Sequence, residues 1–209
     1  DQTVHIFGNF SPRGVETSGG GGVFSINILD TGGSGVAGAS VRLVNSAAGV
    51  DVTGSTDATG NLTLPGAPAG TQAYTITVSK SGYYGATTYP PYPTSAFNPV
   101  DIHGSVVAGV LNQKTMVMDQ SSDITFTTKD PFGTAIPSID YAIEGGRIIG
   151  AEPVTSANVF AFDESGTTDA SGEASYPGES SGQYVVSVTA PDHQFYKLLP
   201  ESALANQFT

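Results

Sequence analysis

The chain has 209 residues, 27 of them Gly and 13 Pro, with 38% hydrophobic and only 12% charged residues. Its 19 acidic against 7 basic residues, net −12, exclude a nucleic-acid binder or a charge-docked anionic-membrane protein, because phosphate neutralisation needs clustered Lys and Arg. The absence of Cys removes disulfides, thiolate nucleophiles and Cys-ligated metals, and the apolar content is enough to fill a core rather than leave the chain disordered.

The length fits one or two domains. Helix-period patterning is nearly absent. Short alternating runs recur instead between Gly, Pro, Asn, Asp and Ser clusters, the pattern of antiparallel β-sandwiches. A leading strand, residues 4–10, is apolar at Val4, Ile6 and Phe10. It reads as the end of a longer fold, so the sequence is expected to be a mature or truncated product. Such a strand either pairs with an exposed edge, in cis or on a neighbour, or packs against the first domain. Ser18 and the four glycines after it form a flexible linker. Residues 23–29 alternate cleanly. Val41 and Leu43 face one side with Arg42 on the other, and Tyr74, Ile76 and Val78 face inward with Thr75 and Thr77 outward. Residues 102–107 and 114–118 are two further strands, the second completing the first sandwich, and residues 119–123 read as a short hinge. No run approaches the roughly 18 apolar residues of a spanning helix.

An internal repeat emerges once turns serve as markers. The first copy runs through Ile28-Leu-Asp30, Gly38-Ala-Ser-Val41, Thr56-Asp-Ala-Thr-Gly60, the strand from Tyr74 and Ser81-Gly-Tyr83. The second runs through Thr128-Lys-Asp130, Ile136-Pro-Ser-Ile139, Thr168-Asp-Ala-Ser-Gly172 and the strand from Tyr184, with a longer insertion at residues 145–165. In the Thr-Asp-Ala-x-Gly element, Asp57 and Asp169 cap their own turns, and Gly60 and Gly172 take the positive φ of a tight reversal. The expectation is an all-β chain of two tandem Ig-like or transthyretin-like antiparallel β-sandwiches with a short leading strand. Residues 1–22 are the leading strand and linker, 23–119 the first sandwich and 120–209 the second.

These motifs resemble the carboxypeptidase regulatory-like domain, well over residues 23–84 and more loosely over 123–199. The resemblance implies a transthyretin-like sandwich that serves as a non-catalytic extracellular module. With the leading Asn9-Phe-Ser-Pro-Arg-Gly-Val-Glu-Thr17 before the glycine run, the whole chain is similar to the C-terminal region of type IV prepilin-like proteins of candidate-phyla bacteria. That similarity implies a cell-surface location, and other subunits of a surface filament or cell-envelope assembly as partners.

Motifs that could carry chemistry have plainer readings. Gly33, Gly35 and Gly38 match G-x-G-x-x-G, but a strand pattern follows where a dinucleotide site needs a helix. Gly178, Ser180 and Gly182 match G-x-S-x-G, again without the helix of a nucleophile elbow. His5, His103 and His193 are far apart, and Asp192 beside His193 is not an oriented base. Acidic residues 163–169 with Glu173 lack the ligand spacing of a calcium loop and read as solvated. An intramolecular Lys–Asn crosslink, used by related collagen-adhesin repeats, lacks its Lys on the first strand of copy one. In copy two Lys129 has no Asn on the strand from Tyr184. No metal and no cofactor is expected.

The informative surface feature is the aromatic-Pro stretch of Tyr83, Tyr84, Tyr89, Tyr92 and Phe97. It either lids the open end of the first sandwich or offers stacking faces to a glycan or a partner peptide. The function expected is a non-enzymatic structural or display module at the cell surface, acting in attachment or filament assembly. The alternatives are a carbohydrate- or protein-binding adhesin module using the Tyr-Pro loop, and an accessory domain of a surface hydrolase.

Overall fold

The alternating runs become strands throughout a computed structural model that describes residues 21–188 and the backbone of Asn206–Phe208. The leading strand at residues 4–10, His5, Asp192 and His193 lie outside the described residues. Two units divide the chain: the first runs to Ser81 and resumes over Gly85–Met118, and the second takes Gly82–Tyr84 and everything from Asp119 on.

Unit 1 holds β1 (Gly22–Asp30), β2 (Ser40–Asn45), β3 (Val50–Ser55), β4 (Asn61–Ala67), β5 (Gly70–Ser79), β6 (Ala86–Thr87), β7 (Asn98–Pro99), β8 (Gly104–Val106) and β9 (Leu111–Met118). One sheet has the order β4-β1-β9 and the other β3-β2-β5, with β6 and β8 on β5. Pairing is antiparallel except for β1 and β9, which run parallel over eight residue pairs from Val23↔Leu111 to Asp30↔Met118. The long connection after β5 makes that parallel return sterically feasible. Phe24, Ile26 and Ile28 of β1 face Val41 and Leu43 of β2 and Tyr74, Ile76 and Val78 of β5, with Met116 and Met118 of β9 beside them, all buried. Each such side chain contributes about 1.5–3 kcal/mol by leaving water. Arg42 faces outward as its position in the alternation requires, in a bidentate pair with Asp51 (2.9 and 2.7 Å).

Unit 2 repeats the plan with β10 (Ser121–Thr127), β11 (Asp140–Ala151), β12 (Asn158–Thr167), β13 (Glu173–Ser180), β14 (Gly182–Val188) and β15 (Asn206–Phe208). β10 pairs with β13 in one sheet, and the order β12-β11-β14-β15 makes the other. Ile124, Phe126, Tyr141, Ile143, Phe162, Ala174, Tyr184 and Val186 form its core. The 145–165 insertion is a ribbon. β11 continues past Gly145, where its pairing with β14 ends, and stays paired with β12 as far as Ala151↔Asn158. Residues 119–123, expected as a hinge, are instead tied into unit 2. Arg147 Nη1 donates to Asp119 Oδ2 (3.1 Å), the Tyr84 N–H to the Asp119 carbonyl (2.8 Å) and the Ser121 N–H to the Gly82 carbonyl (3.1 Å).

The two units close one end with closely corresponding bonds. In unit 1 the Ala39 N–H donates to Thr56 Oγ1 (2.8 Å), and the Thr56 hydroxyl donates to the Val36 carbonyl (2.6 Å). Asp57 Oδ1 accepts from the N–H groups of Thr59 (2.8 Å) and Asn61 (3.0 Å). In unit 2 the Ile139 N–H donates to Thr168 Oγ1 (3.0 Å), and Asp169 Oδ1 accepts from the N–H groups of Ser171 and Glu173, both at 2.8 Å. Gly60 and Gly172 sit at φ +81° and +69°. A Cβ on Gly60 would lie 2.3 Å from the Ile28 carbonyl oxygen, which the same glycine leaves room to pack.

The correspondence also breaks at a backbone position. The Gly38 N–H donates to the Thr56 carbonyl and the Ser138 N–H to the Thr168 carbonyl, both at 3.0 Å. Both residues are left-handed (φ +69° and +58°), so Ser138 bears a strain that Gly38 does not. Two substitutions should therefore have opposite signs in urea unfolding. Gly60→Ala destabilises unit 1 by about 2–3 kcal/mol, whereas Ser138→Gly stabilises unit 2 by about 0.5–1 kcal/mol.

Candidate functional site

The aromatic-Pro stretch does not form one site within a unit. Tyr83 and Tyr84 belong to unit 2, where Tyr83 bridges Gln120, while Tyr89, Tyr92 and Phe97 belong to unit 1. Chemistry near Tyr89 begins with a closed loop. The Tyr89 N–H donates to the Asp101 carbonyl (2.8 Å) and the His103 N–H to the Tyr89 carbonyl (2.9 Å), so residues 90–101 leave and re-enter the fold at one place. Inside it, the Pro91 carbonyl accepts from the N–H groups of Thr94 (2.9 Å) and Ser95 (3.3 Å), and the buried Ser95 hydroxyl donates to the Phe97 carbonyl. The Tyr89 and Phe97 rings meet edge to face at 5.2 Å. Those two aromatics pack on each other. Tyr92, ahead of the cis Pro93, is 51% exposed and is the aromatic of this loop that faces solvent.

Polar side chains beneath the loop fix it. Lys114 Nζ sits 3.0 Å from Asp101 Oδ1, with both side chains mostly buried. His103 is spoken for on both nitrogens: Nδ1 lies 2.9 Å from Thr88 Oγ1 and Nε2 lies 3.3 Å from Thr75 Oγ1. Thr88 Oγ1 also accepts the Ile76 N–H (2.9 Å). Burial holds the His103 pKa below the ordinary imidazole value. This is a histidine bonded into the sheet between two threonine hydroxyls, with no carboxylate hydrogen-bonded to either nitrogen among the described residues.

The other sequence motifs resolve into structure. Gly33 lies in the reversal that Asp30 closes, and Gly35 and Gly38 precede β2, a strand. Ser180 of the G-x-S-x-G match is fully buried at the β13–β14 corner. Its Oγ accepts the Arg147 N–H (2.8 Å), and its carbonyl accepts the Tyr184 hydroxyl (2.6 Å). Asp163 and Glu164 lie exposed on β12. On β13, Glu179 is raised above the usual carboxylate range by burial and by the charge of Glu164. Among the described residues no three His, Asp or Glu side chains are grouped to hold a metal ion. The crosslink geometry is also missing in unit 1. Lys114 is registered with Ile26 and Asn27 with Thr115, so Lys114 and Asn27 point to opposite faces of the sheet.

Sequence reasoning missed Thr56 and Thr168, although the shared Thr ahead of Asp-Ala-x-Gly was the available signal. It also missed Lys114–Asp101 and Arg147–Asp119, for which a single chain offers no local pattern. One outcome follows from the depressed His103 pKa. Neutral His103 is favoured in the fold, so its contribution is present above the unfolded-state value near 6.5 and is lost as pH falls below it. Unfolding free energy measured from pH 8 to 5 should drop below about pH 6.5, and His103→Gln should flatten that drop.

No family model matches the chain, and no curated protein matches it. Among solved structures it is similar to the Bacillus anthracis TIE protein at 14% identity and TM-score 0.36, over 91% of this chain and 33% of that one. It is similar to the shaft pilin spaA from Lactobacillus rhamnosus GG at 13% identity and TM-score 0.30, over 90% and 94% of the two chains. It is also similar to the major pilin subunit of Bacillus cereus at 9% identity and TM-score 0.32, over 90% and 98%. The chain thus spans about a third of the length of the first of these.

Proposed function

We propose that the chain is a non-catalytic structural module of the cell surface, the exposed region of a type IV pilin-like or pseudopilin-like protein acting in attachment or filament assembly. The observation that carries this reading is the repetition of one closing element in two tandem sandwiches, Thr56-Asp-Ala-Thr-Gly60 and Thr168-Asp-Ala-Ser-Gly172, with the same backbone bonds, the same N–H to threonine bond and the same aspartate-capped turn. Repeating a self-sufficient unit along a chain extends reach. A reactive cluster has no need of it. Polar side chains that a catalyst would expose are turned instead to reversals and sheet contacts. Net acidity with few charges keeps neighbouring copies soluble without closing their surfaces to contact. The resemblance to carboxypeptidase regulatory-like modules supports the same reading.

A second reading, binding of a glycan or a protein through the Tyr-Pro loop, has one observation in its favour: Tyr92 is half exposed on a loop fastened at both ends. Immunogold labelling of intact cells with an antibody to this chain separates the possibilities. The structural reading expects label along surface filaments, unchanged in a Tyr92→Ala strain. Label confined to the cell interior contradicts it, and loss of attachment with filaments intact in Tyr92→Ala transfers the role to the loop.

A further inference from the structure

In unit 1, β1 and β9 lie side by side and parallel, paired over eight residues from Val23↔Leu111 to Asp30↔Met118. Parallel pairing puts the start of β1 and the end of β9 at opposite ends of the ladder, about 23 Å apart at a strand's rise per residue. The chain also crosses out of unit 1 after Ser81 and returns at Gly85. Both crossings lie at the Met118 end. There β2 begins, after the Val36 N–H has donated to the Ile28 carbonyl (2.8 Å), and Ser79 is registered with Ser40 and Ala86 with Val78. Tension between the chain before Gly22 and the chain after Met118 therefore draws β1 toward its start and β9 toward its end. A lengthwise pull loads every bond of the ladder at once, whereas a crosswise pull at one end breaks them one at a time.

β1 is held against that pull on both flanks and at both ends. It is the central strand of β4-β1-β9, so drawing it out also shears its antiparallel pairing with β4, from Phe24↔Leu64 to Asn27↔Asn61. A slip of one residue would turn Phe24, Ile26 and Ile28 out of the core against Met116 and Met118, which stay buried only in the present register. At its start, the Val23 N–H donates to the Val110 carbonyl (3.0 Å). The Asn112 side chain knits the adjoining turn: Nδ2 donates to the carbonyls of Val107 (3.0 Å) and Val110 (3.1 Å), and Oδ1 accepts the Val107 N–H (2.9 Å). Gly22 fits so closely there that a Cβ would lie 2.3 Å from the Val107 carbonyl oxygen. At its other end, the Ile28 N–H donates to the Gly60 carbonyl (2.8 Å).

We propose that unit 1 is a load-bearing clamp, in which the β1–β9 ladder, sheared lengthwise, carries tension along the chain between Gly22 and Met118. Resistance to a pull is a matter of the unfolding barrier rather than of equilibrium stability, and the parallel ladder raises that barrier for one direction of pull. The inference rests on the structural reading above and deepens it by naming what the module does there: it holds an attachment under tension.

The test pulls the full chain in optical tweezers through engineered thiols, which its lack of Cys permits. Val23→Cys with Val117→Cys sets the handles at opposite ends of the ladder, and Val23→Cys with Leu111→Cys sets them on one registered pair; all three side chains reach solvent. Both pairs lie within unit 1, so its own unfolding is read. At one loading rate and under reducing conditions, the lengthwise pair should give way at about three times the force of the crosswise pair. Should a variant misfold, Val23→Cys with Thr115→Cys is a second lengthwise pair and Leu29→Cys with Val117→Cys a second crosswise one. Equal forces in the two directions, or a weaker lengthwise pull, would overturn the proposal. Equal forces in a chain that still labels surface filaments remove the clamp alone, whereas lengthwise strength in a chain whose label stays inside the cell sinks the structural reading instead.

Discussion

Everything in this molecule depends on satisfying the backbone at the end of a sandwich where four chain segments converge. Strands satisfy their own N–H and C=O groups, but the reversals between them do not, and buried orphans are costly. The Thr56 hydroxyl answers this in unit 1 by accepting from Ala39 and donating to Val36 at once, while the Thr56 backbone bonds Gly38 and Ala39. Asp57 then closes the adjacent turn, and Gly60 lets the Ile28 strand approach within a distance that no Cβ would permit. Unit 2 solves the same problem with Thr168, Asp169 and Gly172, except that there the carbonyl of Ile136 accepts from the Thr128 hydroxyl (2.5 Å).

That solution also underlies the proposed function. Short, saturated reversals leave few polar atoms to converge on a substrate. Several groups with shifted protonation equilibria are held by structure: His103 between two threonines, Tyr184 against the Ser180 carbonyl and Tyr176 against Tyr141 (2.7 Å). Burial raises the Tyr74 and Tyr184 phenols, each of which donates to a backbone carbonyl just upstream, at Pro68 and Ser180. Variation is confined to what hangs off the frame. Unit 1 carries the Tyr92 loop, and unit 2 carries the 145–165 ribbon with Val154 at its tip and Phe132 on its Asp130 reversal, each of these two 92% exposed. Where copy one has Gly32 two residues after Asp30, copy two presents Phe132, a change of surface on an unchanged turn.

Much of this was legible in the sequence because its physics is local. Period-two alternation placed Val41, Leu43, Tyr74, Ile76 and Val78 inside, and the Asp and Gly of Thr-Asp-Ala-x-Gly announced their turns. The aromatic stretch was legible as a feature but not as an arrangement. The division of Tyr83 and Tyr84 from Tyr89 follows from backbone bonds to Asp119 and Gln120, more than thirty residues away in the chain. The parallel lane of β9 is likewise a non-local outcome, since alternation gives the face of a strand and says nothing of its neighbour. Pairs such as Lys114–Asp101 join positions whose proximity only the loop closure at Tyr89 creates.

The central claim is that a threonine hydroxyl closes each sandwich. Thr56→Val and Thr168→Val preserve shape while removing the oxygen, and equilibrium unfolding of each full-length variant reads the consequence directly. The account predicts a loss of about 2–4 kcal/mol, because a buried N–H and its partner groups are left unsatisfied, with the transition of the other unit unmoved. Variants that unfold within about 0.5 kcal/mol of the parent chain would contradict it.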